Sequence, residues 1–268
     1  MSLSNLFGII LVPIITNDDG IDIDELKITC KRENVKGIYL MPDCHNPTTV
    51  VLRLDKRLEI YKIILDNNLL LIEDSTYGFT LLNKIKPISH YIPDNSFYIA
   101  GISKSINPTF RISYIVSPKK YLKQLIHGVN NLTWMASPIN AEIVAQLQSS
   151  SKYDEIIASK LLKMKKRNTL VDDILGNYHL IPNETSLFRY LILPQSISDI
   201  GIELSCLEKG LQIFSSKRFL VSTHPNKNAI RLSISGPKDI EELRKGLLIV
   251  KDVLIATEAT IKQTSSLI

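Results

Sequence analysis

The sequence of 268 residues has few cysteines and no long apolar runs, the features that define disulfide-rich, zinc-binding and membrane-spanning proteins. It contains three cysteines, an odd number that argues against a disulfide framework, and no C-x-x-C pair that would indicate a zinc site. No apolar run reaches the roughly 20 residues that span a bilayer, and the N-terminal stretch shows no basic signal-peptide region. We therefore expect a cytoplasmic protein with reduced thiols, no bound metal and no membrane association.

Charge of one sign is also scarce. The net charge is +5, and the densest basic group comprises Lys163, Lys165, Lys166 and Arg167. This group falls where helical spacing is predicted, so a solvated helix face is favoured over a nucleic-acid footprint. Hydrophobic residues make up 44% of the chain, enough for a core, and the length suits a large domain with a smaller one.

Short apolar runs alternate with helical patterns in the first half of the chain. The predicted strands cover residues 9–14, 37–41, 69–72, 96–100 and 112–116, and the helices between them cover 23–31 and 55–67. Repeated strand–helix–strand order predicts an α/β domain with a mainly parallel sheet. The strands are so uniformly apolar that we expect both of their faces to be buried.

The pattern changes after residue 118. Helices are predicted over 121–127, 139–148 and 153–166, and strands over 189–193, 211–214 and 229–233, with a closing helix over 240–251. We predict a large domain over residues 1–150, followed over residues 151–268 by a linking helix and a smaller α+β domain.

Residues able to do chemistry follow the predicted strands of the first half. They are, in chain order, Asn46, Asp74, Tyr77, Ser103 and Lys104, with Arg111 opening the next strand. Because the carboxyl ends of parallel strands share one edge of a sheet, we expect these side chains to line one crevice.

Two of these residues indicate a particular cofactor. An amine in a partly desolvated, cation-rich site can attack a carbonyl and form a Schiff base, which makes Lys104 a candidate nucleophile. A buried carboxylate keeps a pyridine nitrogen protonated, as pyridoxal 5'-phosphate requires, and this role suits Asp74. Taken singly, Lys104 reads as a surface lysine, and Asp74 as the cap of a helix beginning at Ser75.

The remaining residues would complete such a site. Asn46 and Tyr77 can hydrogen-bond a phenolate oxygen of the ring. Arg111, with a hydroxyl such as Ser103 or Ser105, can bind the phosphate. Taken singly, Asn46 reads as a turn residue before a proline, Tyr77 as a core tyrosine and Arg111 as a surface cation.

Four motifs in this order carry a resemblance to a known family. HNPTT, the D-x-x-Y of EDSTY, the S-K of GISKS and the arginine of FRISYIV resemble the fold-type I pyridoxal-phosphate enzymes of the class I/II aminotransferase group. Two longer segments, SKSINPTFRISYIVSP and SPINAEIVAQLQSSSKYDEIIASKLLKMKKR, most resemble the aminotransferase-like domain of MocR-type regulators of the GntR family and the related 2-aminoadipate-type aminotransferases.

The resemblance implies an aspartate aminotransferase-like large domain and assigns roles to residues. Lys104 would bind the cofactor covalently and carry protons, and Asp74 would face the pyridinium nitrogen. Arg231, in KNAIRLSIS, would grip the α-carboxylate of an amino acid or 2-oxo acid. Family sites of this kind are built at a dimer interface, so a homodimer is expected, and Trp134 reads as a core or dimer-contact residue.

The resemblance also predicts what this chain lacks. The family places first strands, a glycine-rich phosphate loop and a ring-stacking aromatic before the matched region, and the hydroxyl expected three residues before the lysine is replaced by Gly101. We therefore expect an N-terminally incomplete remnant that transaminates poorly and binds pyridoxal phosphate weakly or not at all. The alternatives are a non-catalytic effector-sensing domain of a MocR-type regulator, without direct DNA contact, and a self-associating structural fragment.

Overall fold

The computed structural model describes residues 2–221 and 227–265. The chain forms two compact units. The first contains residues 15–46 and 50–162, and the second contains residues 47–49, the described residues from 163 onward and the N-terminal residues up to 14. Within the described ranges, no helix combines the length and the apolar character needed to cross a bilayer.

The first unit is built on a four-stranded mixed sheet. Its strands are β3 (Gly37–Leu40), β4 (Leu70–Asp74), β5 (Ser96–Gly101) and β6 (Ser113–Val116), side by side in that order. β3, β4 and β5 are parallel, and β6 joins β5 antiparallel at the edge. This pairing confirms the predicted α/β unit with a mainly parallel sheet. The prediction succeeded because these strands are apolar runs bounded by turn residues.

Helices and a short hairpin complete this unit. A two-residue ladder of β1 (Thr16–Asn17) and β2 (Gly20–Ile21) precedes α2 (Ile23–Arg32), and α3 (Leu54–Asp66) joins β3 to β4. α2 begins at Asp22, whose carboxylate accepts from the Glu25 backbone N–H at 2.9 Å. The helices α4 (Leu122–Leu132) and α5 (Pro138–Gln148) follow the sheet, and α6 spans Ser151–Leu175.

The expectation that both faces of the strands are buried is wrong. On β4, Leu71 and Glu73 are buried, whereas Ile72 between them is 40% exposed. Tyr39 of β3 pairs with Ile72 and is 58% exposed, and every residue of β6 is exposed. Strand side chains alternate between faces, so one face of the sheet remains open to solvent in this unit.

The second unit contains an antiparallel sheet and three further helices. Its strands are β7 (His179–Leu180), β8 (Phe188–Ile192), β9 (Phe214–Ser215) and β10 (Ala229–Ser233), in the order β7-β8-β10-β9. Its helices are α1 (Ser2–Leu6), α7 (Asp199–Glu208) and α8 (Ile240–Ser265). Buried apolar residues of α7, α8, the sheet and the C-terminal half of α6 form one core.

Three further expectations are wrong in detail. Residues 9–14 form no strand: they are mostly exposed, they have no strand partner, and Pro13 lacks a backbone donor. Residues 211–213 belong to the turn after α7, because the Leu211 N–H donates to the Cys206 carbonyl at 2.9 Å. The core alternative for Trp134 is also wrong, because this side chain is 73% exposed, whereas the dimer-contact alternative stays a prediction.

The basic group on α6 is only partly a solvated face. Lys163, Lys165 and Lys166 are exposed, but Arg167 is buried. Its guanidinium donates to the carbonyls of Ile234 at 2.6 Å and of Pro237 at 2.7 Å. A buried cation needs such acceptors, and these two lie far along the sequence.

Candidate functional site

The parallel strands of the first unit bring three loops to one edge of the sheet. β4 ends at Asp74, and Asp74 pairs with Ile99 on β5. The Asp74 carboxylate accepts the Tyr39 hydroxyl at 2.8 Å and the Thr76 backbone N–H at 3.0 Å. Partial desolvation of the phenol and its hydrogen bond to Asp74 raise the pKa of Tyr39. Asp74 thus stabilises the turn after it, in place of the helix that the capping interpretation required.

The loop after β3 carries Asn46. Its side-chain Oδ1 is buried and accepts no hydrogen bond within the described part of the chain, so this acceptor is available to a ligand. Burial lowers the pKa of the neighbouring His45 to about 4, which keeps that ring neutral near pH 7. Tyr77, in the turn after β4, is buried.

The turn after β5 carries Lys104. The structure leaves Lys104 exposed, not partly desolvated as expected, because the turn lies at the open end of the strand. The ammonium of Lys160 donates hydrogen bonds to the backbone carbonyl of Lys104 at 2.6 Å and to that of Ser105 at 3.1 Å. Ser103 is half-buried, whereas Ser105 is buried with a hydroxyl that meets no partner among the described residues.

The two predicted arginines lie in different units. Arg111, in the first unit, is exposed, with a φ of +53° that arginine rarely adopts. Arg231, in the second unit, lies half-buried on β10, where its guanidinium carbon stands 4.4 Å from the centre of the Phe188 ring and 5.7 Å from that of Phe219. These are distances of a cation–π contact.

Sequence reasoning missed a buried polar group beside Asp74. Arg57 of α3 is fully buried and donates to Asp43 at 2.9 Å, and Asp43 in turn accepts the Ser75 hydroxyl. Asp43 lies shortly before Asn46, and Ser75 follows Asp74, so both are close in sequence to predicted site residues. Arg57 gave no such signal, because a charged residue on a helix is usually solvated.

The family match decides what this arrangement belongs to. Residues 5–247 match aminotransferase class I and II. The chain belongs to that family.

Relatives of this aminotransferase-family chain include both regulators and enzymes. An uncharacterized HTH-type transcriptional regulator of Bacillus subtilis, YdeF, is 32% identical over 94% of this chain and 55% of its own length. A 2-aminoadipate transaminase of Thermus thermophilus is 20% identical over 81% of this chain and 57% of its own length. The chain thus spans about half the length of the curated relatives it matches, and the resemblance to both groups is confirmed.

Solved structures confirm the fold of the aminotransferase-family chain. The α-aminoadipate aminotransferase LysN of Thermus thermophilus superposes with a TM-score of 0.85 at 19% identity, over 93% of this chain and 66% of that one. An aspartate aminotransferase double mutant from Thermus thermophilus gives 0.80 at 17% identity, over 93% and 65%. The fold is therefore the aspartate aminotransferase-like α/β fold that was expected.

The donors and acceptors at the sheet edge fit pyridoxal phosphate, the cofactor of this family. Asp74 offers an anion at a strand end, and Asn46, in the loop after β3, offers a side-chain amide whose N–H groups can donate to a ring oxygen. The turn after β5 offers an exposed primary amine at Lys104. Arg111 offers an exposed cation suited to a phosphate.

Proposed function

We propose that this chain binds pyridoxal phosphate and acts on an amino acid and 2-oxo acid pair, as an aminotransferase-like protein. The observation that carries the proposal is the parallel pairing of β4 with β5. In this pairing Asp74 lies beside Ile99. The Asp74 carboxylate is at the end of β4 and the Lys104 turn follows the end of β5, so both lie at the same end of the sheet. When bound, the cofactor supplies the electron sink for removing the α-proton of an amino acid.

Each residue at this edge has a role that its surroundings suit. Lys104 would hold the cofactor through its side-chain amine and would carry the α-proton, and its exposure leaves this amine accessible. Asp74 would keep the ring nitrogen protonated, and the Asn46 amide N–H and the Tyr77 hydroxyl would donate to the ring oxygen. Ser103 and Arg111 bind the phosphate.

Substrate and phosphate binding involve two further positions. Arg231 binds the α-carboxylate of the amino acid or 2-oxo acid; its planar guanidinium suits two parallel hydrogen bonds. Gly101 supplies no hydroxyl three residues before Lys104. Phosphate contacts from the described strand ends therefore rest on Ser103 and Arg111, and we expect weak cofactor affinity and impaired transfer.

A second candidate function is effector sensing by a domain of a MocR/GntR-type transcriptional regulator. It is favoured by the relative at 32% identity, which is an HTH-type transcriptional regulator. In that role the same residues bind cofactor and an amine without completing the transfer. DNA contacts would not come from this chain.

We also propose a homodimer formed through α4. No residue of α4 is buried, although Leu122, Ile126 and Val129 follow one another at spacings of four and three residues on one face. We expect sedimentation to show a dimer that Val129→Glu converts to monomer. Leu204→Glu, at an equally exposed leucine of α7, should leave the dimer intact, and a wild-type monomer at micromolar concentration would contradict the proposal.

The cofactor proposal is tested by titrating the purified chain with pyridoxal phosphate. We expect a visible absorbance band, and borohydride reduction followed by peptide mass spectrometry should place the cofactor on Lys104. Lys104→Ala should abolish both signals, whereas Lys84→Ala, at another exposed lysine of the same unit, should not. No band at saturating cofactor rejects the proposal. Binding without amino transfer to any 2-oxo acid favours the sensing function.

A further inference from the structure

A buried three-residue network lies directly behind the Asp74 turn. We call it the Asp43–Arg57–Ser75 clamp. Arg57 has no exposed surface and donates to the carbonyls of Leu52 at 2.8 Å and Pro42 at 3.0 Å, as well as to Asp43 at 2.9 Å. One guanidinium therefore fixes the backbone on both sides of the loop that carries Asn46.

The clamp reaches the turn after β4 through a hydroxyl. Asp43 accepts Arg57 on Oδ1 and the Ser75 hydroxyl on Oδ2, so both of its oxygens are engaged. Gly78 closes the turn against this contact, and its N–H donates to the Ser75 carbonyl at 2.9 Å. A Cβ at Gly78 would overlap the Ser75 hydroxyl and lie 2.9 Å from Asp43 Oδ2, so only glycine fits here.

Ser75 is also bonded to the neighbouring strand. Its N–H donates to the Ile99 carbonyl at 2.8 Å, and it immediately follows Asp74. The Asp74 carboxylate itself is held by a half-buried Thr76 N–H and by the exposed Tyr39 hydroxyl. Solvent competes for such contacts, so the main restraint on this carboxylate is the backbone that the clamp immobilises.

We propose that Asp43, Arg57 and Ser75 are positioning residues that fix the Asp74 carboxylate for the pyridine nitrogen of the cofactor. The assignment to the cofactor rests on the function proposed above. The fixing of the turn does not, because it follows from the hydrogen bonds of the chain alone. A buried ion pair here gives a rigid anchor, since movement of Arg57 would leave the Asp43 carboxylate without this counter-charge.

The chain offers a matched control in Ser89. Like Ser75, it is a buried serine, with 9% against 7% of its surface exposed, and its hydroxyl also donates to a buried carboxylate, that of Glu73. Glu73 keeps two other donors, the backbone N–H groups of Ile88 and Ser89. Ser89→Ala therefore removes the same bond without touching the Asp74 turn.

The test is amide hydrogen exchange at Thr76, whose N–H reports on the position of the Asp74 carboxylate. We expect Ser75→Ala to speed this exchange about ten-fold, because loss of a hydrogen bond to a charged group has effects of this size. Ser75→Thr, which keeps the hydroxyl, should restore slow exchange. Ser89→Ala should leave it unchanged, and circular dichroism checks that each variant is folded.

A second readout connects the clamp to the cofactor. We expect the Kd for pyridoxal phosphate, measured from the visible band, to rise about ten-fold in Ser75→Ala and not in Ser89→Ala. Asp43→Asn is a second variant, expected to speed Thr76 exchange because Arg57 loses its counter-charge. Unchanged Thr76 exchange in Ser75→Ala, or equal acceleration in Ser89→Ala, overturns the positioning role. A wild-type chain without the band refutes the cofactor proposal, and the exchange result still decides whether the clamp fixes the turn.

Discussion

Thr49 offers a direct test of backbone strain beside the candidate site. It follows Asn46, Pro47 and Thr48, and its φ of +66° lies in the left-handed region that β-branched residues avoid. The side chain is fully buried, and its hydroxyl has no hydrogen-bond partner within residues 2–221 and 227–265. Replacing Thr49 with glycine should therefore stabilise the protein, although glycine usually weakens a fold.

The magnitude follows from four opposing contributions. Holding a non-glycine residue at positive φ costs about 1–3 kcal/mol, and burying an unpaired hydroxyl costs about 1–3 kcal/mol. Thr49→Gly removes both costs. Two effects act in the opposite direction. Glycine makes the unfolded chain more flexible, which lowers the free energy of unfolding by about 0.5–1 kcal/mol. Loss of the buried side chain lowers it by about 0.8 kcal/mol for each carbon removed. We expect a net gain of about 1–2 kcal/mol.

The assay is urea denaturation of wild type and three variants. Thr49→Ala removes the hydroxyl but keeps the Cβ, so it should recover part of the gain and separate the two costs. Thr48→Gly is the matched control, because Thr48 is not at positive φ and glycine should destabilise there by about 1 kcal/mol. The reasoning is refuted if Thr49→Gly destabilises the protein as much as Thr48→Gly does.

Three other changes have expected outcomes measurable by the same denaturation. Arg57→Met should cost about 3–5 kcal/mol because it leaves the Asp43 charge buried and unpaired. Arg53→Met removes an exposed ion pair at the start of the same helix and should change the stability little. Similar costs for the two variants would contradict the burial argument. Gly78→Ala should destabilise the protein by about 1–3 kcal/mol, because the new Cβ would overlap the Ser75 hydroxyl. Gly128→Ala is the control: no atom lies within 4 Å of the new Cβ, and alanine should stabilise the helix by up to about 1 kcal/mol. Folding lowers the pKa of His45 from 6.5 to about 4, so between these pH values the unfolded chain binds a proton that the folded chain does not. The free energy of unfolding should therefore fall by up to about 3 kcal/mol as the pH drops from 6.5 to 4. His45→Gln should lack this pH dependence, and an unchanged pH dependence in the variant would refute its assignment to His45.

Strand positions in the first unit were predictable because local polarity determines them. β3, β4 and β5 are short apolar runs ended by turn residues, and the chemistry-bearing loops follow them at once. α7 was missed because its first turn looks like a loop. Ser198 caps it by accepting the Gly201 N–H at 3.1 Å, and serine, aspartate and glycine near a helix start also favour turns.

Buried arginines could not be predicted, because their partners are distant in sequence. Arg167 donates to carbonyls that lie 67 and 70 residues further along the chain. Arg57 lies on α3 and donates to Asp43, which lies in the loop after β3. Helical spacing alone places such residues on a solvated face, as most charged residues are. Only the packing of the folded chain decides which cations are buried and which carbonyls accept them.

The neighbouring acids Glu73 and Asp74 differ in their burial and in the hydrogen bonds that they accept. Adjacent strand residues face opposite sides of a sheet, so Glu73 is buried while Asp74 stays half-exposed at the strand end. Glu73 accepts three hydrogen bonds from residues 88 and 89 on the buried face of the sheet. Asp74 accepts one from a backbone N–H and one from the Tyr39 hydroxyl, which is on the exposed face and can give way to a ring N–H. Asp74 is therefore the more accessible of the two carboxylates, and this difference is what the proposed cofactor contact at Asp74 requires.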